Sequence, residues 1–428
     1  MKKVRIAILG LGNVGSGVWK ILEENREQVS IRSGYEIEVA KILVRNKNKA
    51  RNVDVPEEII TTDFNEILED DSIRIVVELM GGVEPAKDYI LKAISRKKHV
   101  VTANKFLLAT QGKEIMEAAK KEGVMLYFEA SVAGGIPIIN TISESLTANK
   151  IEQILGIING TTNFILTKMS QEGMEFDEAL KLAQKLGFAE ADPTSDVEGY
   201  DAMYKLAILS DLSFNSAVDV NSIYREGITG ITAVDIQYAK EFGYTIKLLA
   251  IAKENNGELE LRVHPAMIPS KHPLANVNDA FNAIFIKGNA VGDLMFYGKG
   301  AGDLPTGSAV VGDIIAVLRN GMDDYVAPVS KESNCQLKVQ SMDDTVCKYY
   351  LRFAVMDNPG TLADISSIFG RNGVSLASVI QKGKDEKKVP LVFITHETFE
   401  KNINEAIKKI KKLPSVIKVE NIIRVENI

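Results

Sequence analysis

Two lysines occupy sequence settings that suit redox chemistry on an alcohol. Lys105 ends the run Val101-Thr102-Ala103-Asn104-Lys105, just past an apolar β-branched stretch, at the kind of strand edge where doubly wound sheets bind ligands. Lys205 follows Asp201 by four residues in Tyr200-Asp201-Ala202-Met203-Tyr204-Lys205, so on a helix the two share a face. Moving a hydride to or from an alcohol carbon requires a group that takes or returns the oxygen's proton, and a partly desolvated lysine can do this near neutral pH. By spacing alone, the Asp201/Lys205 pair reads more readily as a solvated ion pair on a helix surface.

A nucleotide site gives these lysines a partner. Gly10-Leu11-Gly12-Asn13-Val14-Gly15 has the G-x-G-x-x-G spacing, a weak signal alone. Here it directly follows the apolar run Ile6-Ala7-Ile8-Leu9 and opens a helical pattern, the place where backbone N–H groups such as those of Asn13 and Val14 hold a pyrophosphate. Gly10 permits the tight turn, Gly12 lets phosphates approach the backbone, and Gly15 lets helix and strand pack closely. After the second strand, Arg45 stands where an NAD enzyme carries an acid for the ribose 2′-hydroxyl. A guanidinium there suits a 2′-phosphate, which predicts NADP as cofactor with NAD as the alternative, Asn46 and Lys47 assisting. The long interval from Gly15 to Arg45 is accounted for by a first helix extended through Gln28. Without that context, Arg45 is an ordinary surface residue.

The elements that must position these groups follow from periodicity. Strand-like runs at Val4–Leu9, Ile37–Val44, Ile73–Leu79, His99–Thr102 and Val124–Glu129 alternate with helical patterns at Asn13–Gln28, Pro85–Lys97 and Gln111–Lys121, which predicts a parallel sheet covered on both faces. The fold class expected is α/β: a doubly wound Rossmann-type sheet over residues 1–133, completed by a return segment at 303–330. Residues 134–302 read as an α+β substrate-binding and dimerisation domain, with helical patterns at Asp177–Leu186, Asp201–Leu212 and Ala233–Lys253 and strands at Ile151–Ile158 and Glu258–Pro265. The Gly-rich run from Tyr297 to Asp303 leads into the return helix. Residues 331–348 read as a linker, and 349–428 as βαββαβ, a ferredoxin-like unit with a charged turn at Lys382–Lys388.

Composition narrows the classes. The 428 residues are 45% hydrophobic and 25% charged, as expected of a globular chain of several domains. A net charge of −6 excludes general attraction to nucleic acid or to an anionic membrane. Cys335 and Cys347 are too few for a disulfide framework and have no C-x-x-C spacing, so they read as incidental thiols. Glycines interrupt the apolar N-terminal run, no long uncharged apolar stretch follows, and a cytoplasmic location is expected.

The segments Glu78-Leu79-Met80-Gly81-Gly82, Thr102-Ala103-Asn104-Lys105, Gly156-Ile157-Ile158-Asn159-Gly160-Thr161-Thr162-Asn163 and Gly187 to Lys205, together with the glycine motif, Val263-His264-Pro265 and His272-Pro273-Leu274-Ala275, make residues 1–330 closely resemble homoserine dehydrogenases. The resemblance implies reversible, NAD(P)H-dependent conversion of L-aspartate 4-semialdehyde to L-homoserine, toward threonine, methionine and isoleucine. It makes Lys205 the proton carrier and sets Lys105 beside cofactor and substrate. Glu190 and Asp201 would receive the substrate ammonium, Asp196 would stand behind them, and Gly302 would approach the nicotinamide. It also implies a structural sodium ion or similar monovalent cation, held by Glu129 and the carbonyls of Val132, Gly134 and Ile136; by itself that loop reads as a domain hinge. His264 and His272 read as structural. No aspartokinase segment is expected.

Residues 349–428 resemble an ACT domain at Met356-Asp357-Asn358-Pro359-Gly360-Thr361-Leu362 and at Asn372-Gly373-Val374. This implies side-by-side pairing, a homodimer or homotetramer, and binding of an amino-acid effector, threonine being the obvious one; a pure oligomerisation module remains open. Two rivals for the whole chain are a catalytically dead amino-acid sensor and another Rossmann reductase of amino-acid metabolism. The intact Lys105, Glu190, Asp201 and Lys205 oppose the first, and the Asn159–Asn163 segment opposes the second.

Overall fold

In the computed structural model the described residues are 1–321, 337–382 and 388–428. Cys335, residues 322–330 of the return segment, 331–336 of the linker and 383–387 of the charged turn lie outside them. The described residues form two compact units. One comprises Met1–Glu152, Tyr204–Val220 and the chain from Asn282 through the return helix; the other comprises Gln153–Met203, Asn221–Phe281 and the chain from Leu337 onward.

In the first unit, six parallel strands run in the order Ile60–Thr61, Tyr35–Leu43, Lys2–Leu9, Ile73–Glu78, His99–Thr102, Leu126–Tyr127. This is the dinucleotide-binding order, and its reversal beside the first strand opens a crevice at the strand C-termini. Alternation along that strand supplies both faces. Val4, Ile6 and Ile8 pack with Val18, Leu22 and the return-helix residues Val310, Ile314 and Val317, whereas Ala7 and Leu9 pack with Ile90, Ile94, Leu107 and Ile115.

The first helix is shorter than the periodicity predicts. It spans Asn13–Glu24, breaks at Asn25, and a separate helix Arg26–Ser33 follows, ended by Gly34 in the left-handed region. The fifth expected strand, Val124–Glu129, shrinks to Leu126–Tyr127, with Glu129–Ser131 turning as a 3-10 helix. Lys105 begins the helix Lys105–Glu122, which starts earlier than its apolar period shows and is broken at Gln111.

The return helix Asp303–Arg319 packs on the helix Asn13–Glu24 through glycines: a Cβ at Gly17 would collide with the Asp303 carbonyl, and one at Gly307 would lie 2.8 Å from the Gly17 carbonyl carbon. The first unit also draws in residues assigned from sequence to the middle domain. The Glu129 N–H donates to Asp313 Oδ2 (2.8 Å), and the Gly135 N–H to the Lys299 carbonyl (3.1 Å), so the chain near 134 packs with the return segment.

The second unit is built on one sheet, in the order Ile151–Ile157, Tyr244–Asn255, Glu258–Pro269, Val416–Val425, Val346–Val355, Val389–Thr395, Leu376–Gln381. The helical reading of Ala233–Lys253 is corrected: a capping-box helix covers Ala233–Glu241, Gly243 turns the chain, and Tyr244–Asn255 is a strand. The segment Ile246-Lys247-Leu248-Leu249-Ala250-Ile251-Ala252 is buried on both sides, and a continuous apolar run does not distinguish helix from strand by period. A tight turn with positive φ at Asn256 and Gly257 then reverses it into Glu258–Pro269.

The last four strands have the ferredoxin-like order with helices Thr361–Arg371 and Glu400–Ile410, as expected. They are continuous with the middle sheet, because Val416–Val425 runs parallel to Glu258–Pro269 with Arg424 opposite Ala266 and Val425 opposite Met267. The described part of the expected linker is ordered: Lys338–Val339 pairs with Glu258 and Leu259, and Met342–Asp344 forms a 3-10 turn. Cys347 is buried, and burial pushes its thiol up to about 12, which removes it as a nucleophile.

Candidate active site

The glycine loop presents an open helix N-terminus. Gly10 has φ +105°, and a Cβ there would lie 2.8 Å from the Leu79 carbonyl oxygen; a Cβ at Gly15 would collide with the Gly10 carbonyl. A Cβ at Gly12 would meet nothing within 4 Å, so the loop is open on the side a phosphate would approach. No side chain caps the helix Asn13–Glu24 and no acid occupies its first turn, which leaves the N–H groups around Asn13 and Val14 for an anion. Arg45 is exposed just past the second strand. The loop beyond it is stapled by a residue that sequence reasoning missed: Arg51 donates to the carbonyls of Asn46 (2.6 Å), Lys47 (2.8 Å) and Lys49 (2.9 Å).

Lys105 is half-buried and fixed by a network centred on Glu78. This glutamate is fully buried at its strand end and accepts from Thr102 Oγ1 (2.6 Å) and from the Met80 (2.7 Å) and Gly81 (3.3 Å) N–H groups. Burial raises its pKa, opposed by those hydrogen bonds. Thr102 Oγ1 accepts from the Asn104 N–H, Asn104 Nδ2 donates to the Gly82 carbonyl (2.7 Å), and Asn104 Oδ1 caps the helix that Lys105 begins by accepting from the Leu107 N–H (3.1 Å). The motif showed the letters of this network but no role for Glu78, because a buried carboxylate at a strand end is indistinguishable in sequence from an exposed one.

Asp201 lies in the first turn of the helix Tyr200–Phe214 and Lys205 one turn later. Both are buried, Lys205 to 8% exposure, which removes the solvated-pair reading. Beside Lys205, Tyr204 meets Phe106, the neighbour of Lys105, ring edge to face at 5.0 Å, so the chain segments bearing the two lysines touch. Asp201 is oriented by Asn159, whose Nδ2 donates both to Asp201 Oδ2 (2.9 Å) and to Asp196 Oδ1 (2.7 Å). Asn159 in turn caps the helix Gly160–Glu172, its Oδ1 accepting from the Thr162 N–H (2.8 Å) and Oγ1 (2.9 Å). Two carboxylates on one neutral amide suit an ammonium ligand. Asn159 was quoted only as part of a motif; an Asn before Gly-Thr-Thr is the N-cap signal that could have singled it out. Glu190 is exposed, its backbone carbonyl held by Gln184 Nε2 at 3.1 Å.

Glu129 is buried at 3% exposure, and its carboxylate accepts the N–H groups of Ile138 (2.6 Å), Ile139 (2.8 Å) and Asn140 (2.8 Å). Burial raises its pKa and pushes that of neighbouring Asp313 up to about 8. Positive φ at Ala133 and Gly134 curls the chain beside it, where the carbonyls of Val132, Gly134 and Ile136 accept no hydrogen bond among the described residues. Three such carbonyls and one carboxylate oxygen with a lone pair to spare fit a hard monovalent cation. Gly302 has φ +121° and precedes the return helix. His264 is fully buried, and burial with the Arg424 and Arg262 guanidiniums holds it neutral, in keeping with a structural role. No helix among the described residues is long and apolar enough to cross a membrane.

The dinucleotide sheet order, the uncapped glycine-loop helix and the lysine at the strand edge define a nicotinamide-nucleotide-dependent oxidoreductase. A family model for the homoserine dehydrogenase NAD-binding domain matches residues 10–129, one for homoserine dehydrogenase matches 137–315, and one for the ACT domain matches 349–415. The homoserine dehydrogenase of Bacillus subtilis (strain 168) is 43% identical over 100% of this chain and 99% of its own length. The crystal structure of a homoserine dehydrogenase from Thiobacillus denitrificans superposes with a TM-score of 0.93 at 45% identity, covering 100% of this chain and 99% of that one. A hyperthermophilic archaeal homoserine dehydrogenase in complex with NADPH superposes with a TM-score of 0.63 at 30% identity, over 73% of this chain and 97% of that one. The chain belongs to the homoserine dehydrogenase family, with an ACT domain at its C-terminal end.

Proposed function

We propose that the chain interconverts L-homoserine and L-aspartate 4-semialdehyde with Lys205 as the proton carrier, supplying threonine, methionine and isoleucine synthesis. The observation that carries this reading is the pair Asp196 and Asp201 on the Asn159 amide, one helical turn before a buried lysine. When bound, the nicotinamide accepts the hydride from the alcohol carbon in oxidation and returns it in reduction. Lys205 Nζ takes the hydroxyl proton in oxidation and gives it back to the carbonyl oxygen in reduction. Asp201 and Glu190 receive the substrate ammonium, and Lys105 polarises the reacting oxygen. The assay is nicotinamide reduction at 340 nm with L-homoserine; a chain that turns over another hydroxy acid and not homoserine ends the proposal.

The cofactor is NADPH, with Arg45 on the 2′-phosphate and the glycine loop, with Gly302, on the rest of the nucleotide. The support is the exposed guanidinium at the second strand end and the NADPH-bound archaeal relative. Arg45→Ala is expected to raise the NADPH KM about tenfold or more and leave the NADH KM within about twofold, since a phosphate–guanidinium contact is charge-assisted. Equal changes for both nucleotides would refute it.

A monovalent cation held by Glu129 and the carbonyls of Val132, Gly134 and Ile136 tethers that loop. Sodium chloride is expected to raise the melting temperature above that in choline chloride of equal ionic strength, and Glu129→Gln to abolish the difference.

The effector site is a cavity of about 370 Å³ in the ACT domain, lined by Asp357, Asn358, Gly360, Thr361 and Gln381 at the N-terminus of the helix Thr361–Arg371. Gln381 Nε2 holds Asp357 Oδ1 at 3.1 Å, leaving the carboxylate placed for an ammonium. Calorimetry on the full chain is expected to show threonine binding that Asp357→Ala weakens about tenfold or more; no heat with either protein would remove the assignment.

A further inference from the structure

Asn282 is the second residue of the strand Phe281–Gly288 and is 1% exposed, yet neither its Nδ2 nor its Oδ1 has a hydrogen-bond partner among the described residues. Native proteins rarely bury a carboxamide with donor and acceptor both unpaired, and such exceptions concentrate at functional or strained sites. The side chain lies directly against Gly300, where an added Cβ would collide with the Asn282 amide. Gly134 meets the same residue, since a Cβ there would collide with the Gly300 carbonyl. The Gly135 N–H donates to the Lys299 carbonyl at 3.1 Å. The Gly-rich return loop is therefore gripped just before Gly302, while the peptide groups of Gly300 and Ala301 enter no hydrogen bond among the described residues. Gly300 is half-buried, and Ala301 and Gly302 are exposed, so water can reach this stretch.

We infer that Asn282 is a positioning residue for the return loop: its carboxamide hydrogen-bonds the peptide groups at Gly300–Gly302 when the nicotinamide end of the nucleotide covers them. The physical need is direct, because a peptide group shut off from water must find another partner, and Asn282 is an amide with one acceptor and two donors already pressed against the loop. The inference rests on the reading of Gly302 as the residue nearest the nicotinamide.

The test is Asn282→Leu in the full-length enzyme, an apolar side chain of similar size. Replacing an orphaned amide relieves its burial, so the melting temperature without nucleotide is expected to rise by about 2–4 °C. At the same time kcat for homoserine oxidation falls tenfold or more, and the rise in melting temperature caused by saturating NADPH shrinks by at least half. A merely space-filling side chain would give the opposite pattern, and kcat within twofold of wild type, or stability and kcat falling together, overturns the inference. Should that variant fail to fold, Asn282→Ala with Gly300→Ala restores the packing without the amide; activity back within threefold of wild type overturns the inference, and persistent loss supports it. The NADPH-induced shift needs no turnover, so a wild-type chain inactive on homoserine would count against the proposed reaction and not against the loop contact.

Discussion

Lys205→Ala is expected to lower kcat for homoserine oxidation about a thousandfold while leaving the Kd for NADPH within about threefold, as proton transfer by a positioned group contributes roughly 10²–10⁴ in rate. The lysine is buried within the helix Tyr200–Phe214, whereas the glycine loop proposed to hold the nucleotide is made by the turn and helix at Gly10–Glu24. Loss of the amine therefore removes the proposed proton carrier and leaves the glycine loop intact. Lys205→Arg should not rescue oxidation, because a guanidinium stays protonated and cannot accept the hydroxyl proton. Stopped-flow reduction of NADP at saturating homoserine, paired with fluorescence titration of NADPH, separates the two effects. A kcat within tenfold of wild type would move the role to another residue, Lys105 first.

Glu426→Ala is expected to destabilise the second unit by about 3 kcal/mol, because it leaves the buried Arg262 guanidinium with Glu260 as its remaining carboxylate partner among the described residues. Arg262 is 1% exposed and Glu426 2%. Arg262 Nη2 donates to Glu426 Oε2 at 3.1 Å and Nε to Glu260 Oε1 at 2.7 Å, while Lys253 Nζ lies 3.4 Å from Glu426. This cluster ties the end of the last ACT strand to the middle sheet, where the Glu426 N–H also donates to the Met267 carbonyl (2.9 Å). Thermal unfolding followed by far-ultraviolet circular dichroism should show the loss, with a melting midpoint lower by roughly 10 °C.

Glu426→Gln adds a pH signature. The cationic neighbours Arg262 and Lys253 outweigh burial and hold the Glu426 carboxyl well below its ordinary value of 4.5. A carboxyl whose folded pKa is depressed contributes stability that is complete above its unfolded pKa and is lost as pH falls toward the folded one. The stability gap between wild type and Glu426→Gln should thus be full above about pH 4.5 and narrow below it. A constant gap from pH 7 to pH 3 would show that shape and not charge is what Glu426 supplies.

Local signals were enough for much of this molecule. The strands Lys2–Leu9, Tyr35–Leu43, Ile73–Glu78 and His99–Thr102 of the first sheet, the glycine turn, and the strands Val389–Thr395 and Val416–Val425 with the helix Thr361–Arg371 could all be located from periodicity and turn residues, since each has an apolar run or is punctuated by glycine. Residues 233–253 could not be read this way. Their apolar run is buried on both faces, so its period carries no information and only pairing with residues 258–269 makes it a strand.

The residue types at the site were legible, but their partners were not. Asn159 holds Asp196 and Asp201 from 37 and 42 positions away, and Glu78 holds Thr102 across 24. Contacts at such separation are set by which strands and helices become neighbours, and no local pattern records that.

What the amino-acid order settled alone was the menu of chemistry: a phosphate-binding turn, two lysines, a group of acids and a ferredoxin-like C-terminal pattern, because turn conformation and side-chain period are properties of a few adjacent residues. What tertiary structure alone decided was burial and company. It made Lys205 a buried amine instead of a solvated one, left the Asn282 carboxamide without a hydrogen-bond partner among the described residues against Gly300, and joined the ACT sheet to the middle sheet through Arg262 and Glu426. Desolvation depends on atoms brought together from distant parts of the chain, and it is desolvation that turns an ordinary lysine, amide or ion pair into one with a specific role.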